Sequence, residues 1–182
     1  RWIAHDKSND LRNFYEFNRA KTYSDFEEAV KYWTAPAQNF VFATNEGDIG
    51  VNVSGKFPNK WKYQGRTVGD GTDPLYDWQG WIPSEQNPID KNPERGFVSS
   101  ANQETAAPDY PYYLEDDNAP FERGRRINDL LAEMDDITID DFKKMQMDTY
   151  SYHAATILPS MIEWISKDQM TDQELKALEE LE

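Results

Sequence analysis

The sequence predicts an α+β fold, and three features point there. Residues 38–54 alternate apolar and polar positions about a tight turn, the mark of a β-hairpin. Residues 9–34 and 122–182 carry apolar stripes at helical spacing. Between them, residues 56–99 are rich in Gly, Pro and Trp, with only short strand-like pieces. A chain of 182 residues suits one domain, or one domain with a helical appendage. The boundary is expected near residue 121, between a helix–hairpin–loop part (1–121) and a helical part (122–182).

Taken in order, residues 9–20 place Leu11, Phe14, Phe17 and Asn18 near one helix face, with Arg12, Glu16 and Arg19 on another. Ser24-Asp25-Phe26-Glu27 reads as a capping box, with Ser24 as the cap and Glu27 reaching back. Phe26, Val30 and Trp33 form the stripe of that second helix, which runs to about residue 34 and stops before Pro36. In the hairpin, Phe40, Phe42, Val51 and Val53 alternate with smaller or polar residues, the pattern of a strand with one buried face, and Gly47 supplies the positive φ of the Asn45–Asp48 turn. Asn39 stands where the first strand begins, a neutral amide able to donate a hydrogen bond without carrying charge. Residues 103–121 read as an extended, Pro- and Tyr-rich connection. In the last third, Ile127, Leu130, Leu131 and Met134 make one stripe. Thr138 caps the next helix with Asp141 at the matching position, and Phe142, Met145, Thr149 and Tyr152 continue one face. Pro159 is expected to kink or break the helix there, unless it starts a new turn. Thr171-Asp172-Gln173-Glu174 is a further capping box ahead of Leu175, Leu178 and Leu181.

Charge and composition bound the function. The net charge of -15 repels phosphate backbones and argues against a nucleic-acid partner. Six Trp, 10 Tyr and 9 Phe are enough for an aromatic core and exclude a disordered tail. No apolar run is long enough to cross a bilayer. The chain opens on Arg1-Trp2-Ile3-Ala4, without a signal peptide and without an initiator Met, as expected of a processed chain or an excised piece. With no cysteine there is no disulfide, no thiolate metal site and no Cys nucleophile.

Each candidate site has a plainer counterpart. His5 and His153 are the only histidines, and without a Gly-x-Ser-x-Gly elbow they read as surface or packing residues rather than members of a triad. Asp70, Asp73 and Asp77 offer oxygen ligands, but Pro74 interrupts any calcium loop and the expectation is Asx-turn chemistry. Asp116-Asp117 and Asp135-Asp136 read as helix N-terminal or solvated charges. The Trp-rich loops serve either as a core under a long loop or as a platform for stacking. That leaves open a stand-alone, non-catalytic binding module that uses its aromatic loops for a carbohydrate or partner protein.

The ordered motifs also carry a resemblance. Pro36-Ala37-Gln38-Asn39-Phe40-Val41-Phe42-Ala43, Glu46-Gly47-Asp48-Ile49-Gly50 and Gly55-Lys56-Phe57-Pro58 resemble the central β-chain segment of the penicillin acylase (penicillin amidase) family of N-terminal nucleophile hydrolases. The series continues through Tyr76-Asp77-Trp78-Gln79-Gly80-Trp81-Ile82-Pro83, Asn92-Pro93-Glu94-Arg95-Gly96-Phe97 and Ser100-Ala101-Asn102. The resemblance implies a piece of an αββα sandwich. It implies amide hydrolysis by a Ser that begins the β chain after autoproteolysis, with its own α-amino group as base. It implies an oxyanion hole formed by a backbone N–H and an Asn, and Asn39 matches that Asn. Lys60 falls near where some members carry an active-site Arg, giving it a supporting part, although Lys lacks the planar fork. Residue 1 is Arg, not Ser, so the chain is expected to be an internal β-chain fragment that lacks the nucleophile and is inactive alone. Its implied partners are the remaining α- and β-chain segments of the same precursor and a small acyl-amide, such as a β-lactam side chain or an acyl-homoserine lactone. No cofactor is implied. Structural calcium in a complete enzyme would draw on other segments, and Thr44 replaces a common Asp. The implied compartment is periplasmic or secreted.

Overall fold

The computed structural model describes residues 1–114 and 117–181, so Asp116 of the acidic pair lies outside the described residues. The chain divides into two compact units, Arg1–Pro120 and Phe121–Glu182.

In the first unit, helices α1 (Asp10–Phe17) and α2 (Tyr23–Val30) precede strands β1 (Gln38–Ala43) and β2 (Ile49–Ser54). A short β3 (Ile89–Lys91) completes an antiparallel sheet in the order β1-β2-β3. Helix α2 begins two residues before the sequence predicts. Thr22 is its cap: Thr22 Oγ1 accepts from the Asp25 N–H at 3.2 Å, and Asp25 Oδ2 accepts from the Thr22 N–H at 3.1 Å. Two boxes of equal spacing overlap here, Thr22 to Asp25 and Ser24 to Glu27, and spacing alone does not choose between them. Glu27 instead accepts from the Tyr23 hydroxyl at 2.8 Å. Burial, followed by this carboxylate neighbour, pushes the Tyr23 phenol well above its ordinary pKa. The backbone N–H bonds from Lys21 and Thr22 hold Asp25 below the usual carboxylate range.

The hairpin register has one consequence that alternation alone does not fix. Its register pairs Phe40 with Asn52 and Phe42 with Gly50, while Asn39 faces Val53 and Val41 faces Val51. Directly opposite residues share a face of a sheet. Phe40 and Phe42 therefore lie on one face, and Val41, Val51, Val53 and Asn39 on the other. Both strands alternate as predicted, but the turn length sets the parity that puts their apolar sets on opposite faces. Gly47 takes φ +93° at the turn, which is closed by the Thr44 N–H bonding the Asp48 carbonyl at 2.8 Å. Gly50 admits the Phe42 ring: a Cβ there would lie 2.5 Å from Phe42 Cζ.

The Phe face is covered by α1, α2 and the residues that follow α2. Phe26 packs on Phe42 with centroids 4.4 Å apart, Phe17 on Phe40 at 4.9 Å and Trp33 on Phe40 at 5.2 Å. Phe17 stacks on Phe26 at 5.4 Å, so strand and helices form one continuous cluster of rings. Beyond the sheet, Gln64 is buried and pins the Trp-rich loop from inside. Its Nε2 donates to the carbonyls of Tyr76 at 3.0 Å and Asp77 at 3.3 Å, and its Oε1 accepts from the Trp61 N–H at 3.3 Å. A bridge between Pro58 and Trp81 closes the same loop above buried Ile82.

The second unit holds α3 (Glu122–Ala132), α4 (Ile139–Gln146), α5 (Tyr152–Glu163) and α6 (Asp172–Glu179). Thr138 with Asp141 and Thr171 with Glu174 make the two capping boxes that the sequence predicts. Helix α4 ends at Gln146, so Thr149 belongs to the turn that follows and Tyr152 to the next helix. Helix α5 runs through Pro159 instead of breaking. The ring removes one N–H donor, and the Ala155 carbonyl it would have bonded belongs to an exposed residue that solvent can reach. The Arg126 guanidinium grips Asp148 with two bonds, at 3.1 and 2.6 Å, and holds that carboxyl below the usual range.

Because Phe26 joins the second helix to β1, Phe26→Ala is expected to destabilise the first unit by about 3–5 kcal/mol. A urea unfolding midpoint within error of the parent protein's would contradict this account of the core.

Candidate active site

Asn39 lies second in β1, on the sheet face opposite the aromatic cluster. It lines a cleft of about 370 Å³, with Val53 and Phe57 as apolar wall and Ser100, Asn102 and Gln103 as polar wall. Its side chain is half-buried, and Nδ2 donates to the Ser100 hydroxyl at 2.9 Å across 61 residues of sequence. The amide therefore stands neither in bulk water nor deep in packing. Both of its supports are held. Val53, facing Asn39 on β2, is buried and donates its N–H to the Pro88 carbonyl at 3.0 Å. Ser100 precedes buried Ala101, whose N–H bonds Gln103 Oε1 at 2.6 Å. Asn102 takes a left-handed φ of +60°, and its carbonyl accepts from the Ala119 N–H at 2.8 Å.

Chemically, an Asn amide carries two N–H donors, and here one is engaged by Ser100. The other can serve a ligand oxygen without bringing formal charge into the cleft.

Lys60 is placed elsewhere. It lines a separate cleft of about 500 Å³ bounded by Arg1, Trp61, Gln64 and Trp78, and its ammonium lies 5.1 Å from the centre of the Tyr113 ring. Tyr113 leads into Leu114, which lines the Asn39 cleft. The structure thus does not bring the two predicted site residues into one cleft, and the Lys60 ammonium reaches towards the segment beside Asn39 through Tyr113.

The remaining candidates have structural partners. Asp70 Oδ1 accepts from the Thr72 N–H at 2.9 Å and its hydroxyl at 2.7 Å, Asp73 Oδ1 from the Leu75 N–H at 2.9 Å, and Asp77 Oδ1 from the Trp78 N–H at 2.7 Å. The Asp70 and Asp73 bonds make Asx turns, the Asp77 bond reaches only the next N–H, and the bonds hold Asp70 and Asp77 below the usual carboxylate range. The carboxylates turn towards their own backbone, so this donor set does not fit a calcium ion. His5 packs edge-on against Trp2 at 5.4 Å, and His153 lies 3.6 Å from Glu122. The loop tryptophans are capped by cations. Arg1 sits 4.8 Å from the Trp78 centroid and Lys56 sits 4.1 Å from the Trp81 centroid.

Two residues escape sequence reasoning. Gln64 gives no signal, because a lone Gln in a loop is ordinarily a surface residue. Ser100 opens the Ser100-Ala101-Asn102 motif, yet nothing in the sequence marks it as the partner of Asn39.

An α+β segment with a neutral donor at a polar cleft is the class these features define, and comparison with known proteins narrows it. The fold matches a thermostable penicillin G acylase from Alcaligenes faecalis with a TM-score of 0.66 at 18% identity, over 88% of this chain and 30% of that one. An acyl-homoserine lactone acylase, QuiP, from Pseudomonas aeruginosa is 31% identical over 157 residues. A penicillin acylase 2 proenzyme from a Pseudomonas species is 30% identical over 138 residues. These alignments cover 86% and 76% of this chain, and the chain spans 18% of the length of each relative. The penicillin amidase family model matches residues 1–182, and the chain belongs to that family.

Gln64→Ala is expected to leave two carbonyls and one N–H of the 61–77 loop without their partner, at about 1–3 kcal/mol for each group that stays buried. Limited proteolysis should then cut within residues 61–77 faster than in the parent. Unchanged cleavage rates would show that the loop does not depend on this side chain.

Proposed function

We propose that this chain is a working part of an amide hydrolase and that Asn39 supplies one of the two donors of its oxyanion hole. The observation that carries the proposal is the Asn39 amide held by Ser100 at the rim of the cleft. Family membership supports it, as do the acylase names of the relatives. The chemistry follows from charge. Attack on an amide carbonyl puts a full negative charge on oxygen, and a fixed neutral N–H donor stabilises that charge more than it stabilises the ground-state carbonyl. A neutral donor also keeps the cleft free of a resident cation that would bind anions indiscriminately.

The chain spans 18% of these relatives' length, and the proposal assigns the remaining roles to the rest of the protein. An N-terminal Ser attacks the carbonyl, its α-amino group takes the proton, and a backbone N–H completes the hole. The sheet of this chain is then one part of an αββα sandwich. Its Val41, Val51 and Val53 face meets other segments of the same precursor. The substrate is a small acyl-amide, in keeping with a cleft of about 370 Å³ that has both apolar and polar walls. Lys60 acts at a distance, by holding Tyr113 and with it the segment that carries Leu114. Among the described residues no helix is long and apolar enough to cross a membrane. The proposal places the enzyme in the periplasm or outside the cell, where a chain without cysteine needs no redox control.

In the complete enzyme, Asn39→Ala should lower kcat about 10²–10³-fold with KM little changed, as loss of a donor acting only in the transition state requires. Near-normal turnover of an acyl-amide would refute the assignment. Lys60→Ala, measured beside it, should raise KM more than it lowers kcat. The reverse pattern, a fall in kcat with KM unchanged, would overturn this indirect role.

A further inference from the structure

We propose that Ser100 is a positioning residue for the oxyanion donor: its hydroxyl oxygen holds the Asn39 amide at the rim of the cleft, engaging one N–H and leaving the other for the reacting carbonyl. The proposal deepens the assignment of Asn39 and rests on it.

The argument begins with the ambiguity of an amide. The two ends of an Asn side chain have nearly the same shape and opposite hydrogen-bonding character. Rotating χ2 by half a turn exchanges Nδ2 for Oδ1, and that torsion is soft. With Oδ1 towards the cleft, a developing oxyanion meets a second electronegative oxygen and the site opposes the reaction. With Nδ2 towards the cleft, the site favours it. An oxyanion hole built on Asn therefore works only while the side chain is held with nitrogen towards the cleft.

Ser100 holds that arrangement in the structure. Its Oγ accepts from Asn39 Nδ2 at 2.9 Å, using one of the two amide protons and leaving the second for a ligand. Both residues line the same cleft, so the bond lies at the site itself. The bond is also preorganised at each end. Asn39 is fixed in the β1–β2 ladder opposite buried Val53. Ser100 adjoins buried Ala101 and the left-handed turn at Asn102, which is tied to Ala119. Neither end needs to move as charge develops, which is the condition for electrostatic stabilisation without reorganisation. A bond spanning 61 residues has no role in local secondary structure, and its two ends otherwise belong to separate parts of the first unit.

The expected effect follows from what is lost. Removing the hydroxyl frees the amide but leaves the donor in place, so the rate should fall by the worth of one neutral hydrogen bond, about 3–10-fold. That is well short of the loss expected on removing Asn39.

The test uses the complete enzyme and four variants: Ser100→Ala, Ser100→Thr, Asn39→Ala and the Asn39→Ala/Ser100→Ala pair. Ser100→Ala should lower kcat about 3–10-fold with KM unchanged and the unfolding midpoint retained, and Ser100→Thr should recover most of that loss. In the Asn39→Ala background, Ser100→Ala should have no further effect, because there is no amide left to orient. Additive effects of the two substitutions would overturn the positioning role while leaving Asn39 as donor. So would a rise in KM alone, which would make Ser100 a substrate contact. Unimpaired turnover in Asn39→Ala would remove both assignments at once.

Discussion

Everything in the first unit depends on how the rings of α1, α2 and Trp33 meet Phe40 and Phe42. Phe17, Phe26 and Trp33 seat these two rings against the helices at centroid distances of 4.4–5.2 Å. Rings bury large apolar areas and prefer edge or offset contact, so the cluster is both a major stabilising element and a fixed geometry. A strand clamped on one face must direct its intervening residues to the other. Asn39 is one of these. Its place at the cleft is thus a consequence of helix packing on the opposite side of the sheet.

This arrangement explains why the unit tolerates a polar cleft beside its core. The two faces of the hairpin do different work. The aromatic face is sealed by helices, while the Val41, Val51 and Val53 face is shared with Asn39, and Val41 remains 57% exposed. A half-covered apolar face is characteristic of a sheet that packs against a second layer. The amide sits at the edge of that face, half-buried and lining the cleft.

The long loops, which appear irregular in sequence, are held by a few side chains with unusual reach. Gln64 bonds three backbone groups from inside its loop. Asn92 takes a left-handed φ of +50° and extends the sheet by bonding Ile49 through both backbone and side chain. Asn87 crosses to the Gly55 carbonyl at 3.1 Å. Buried polar groups must be satisfied, and amide side chains can satisfy backbone where no ladder exists. The helical unit relies on a different device, ionic and aromatic pairing on its surface. Arg126 both grips Asp148 and lies 4.6 Å from the Tyr150 ring, in a unit that buries few large side chains.

The sequence by itself determined a good deal. Period-two alternation specified the hairpin, Gly47 its turn, and Thr-x-x-Asp/Glu spacing the helix starts at Thr138 and Thr171, because these signals act over a few residues. It also marked Asn39, through the motif series around it. It could not choose between overlapping boxes at Thr22 and Ser24, nor show that Pro159 would be carried within a helix, since packing and solvation settle both. The split of the phenylalanines and valines onto opposite faces required the register, which the turn closes and the helices select. The Asn39–Ser100 bond and the removal of Lys60 to another cleft were decided only in three dimensions. Contacts across 61 residues leave no periodicity to detect, because they arise from how separate segments pack and not from the geometry of any one of them.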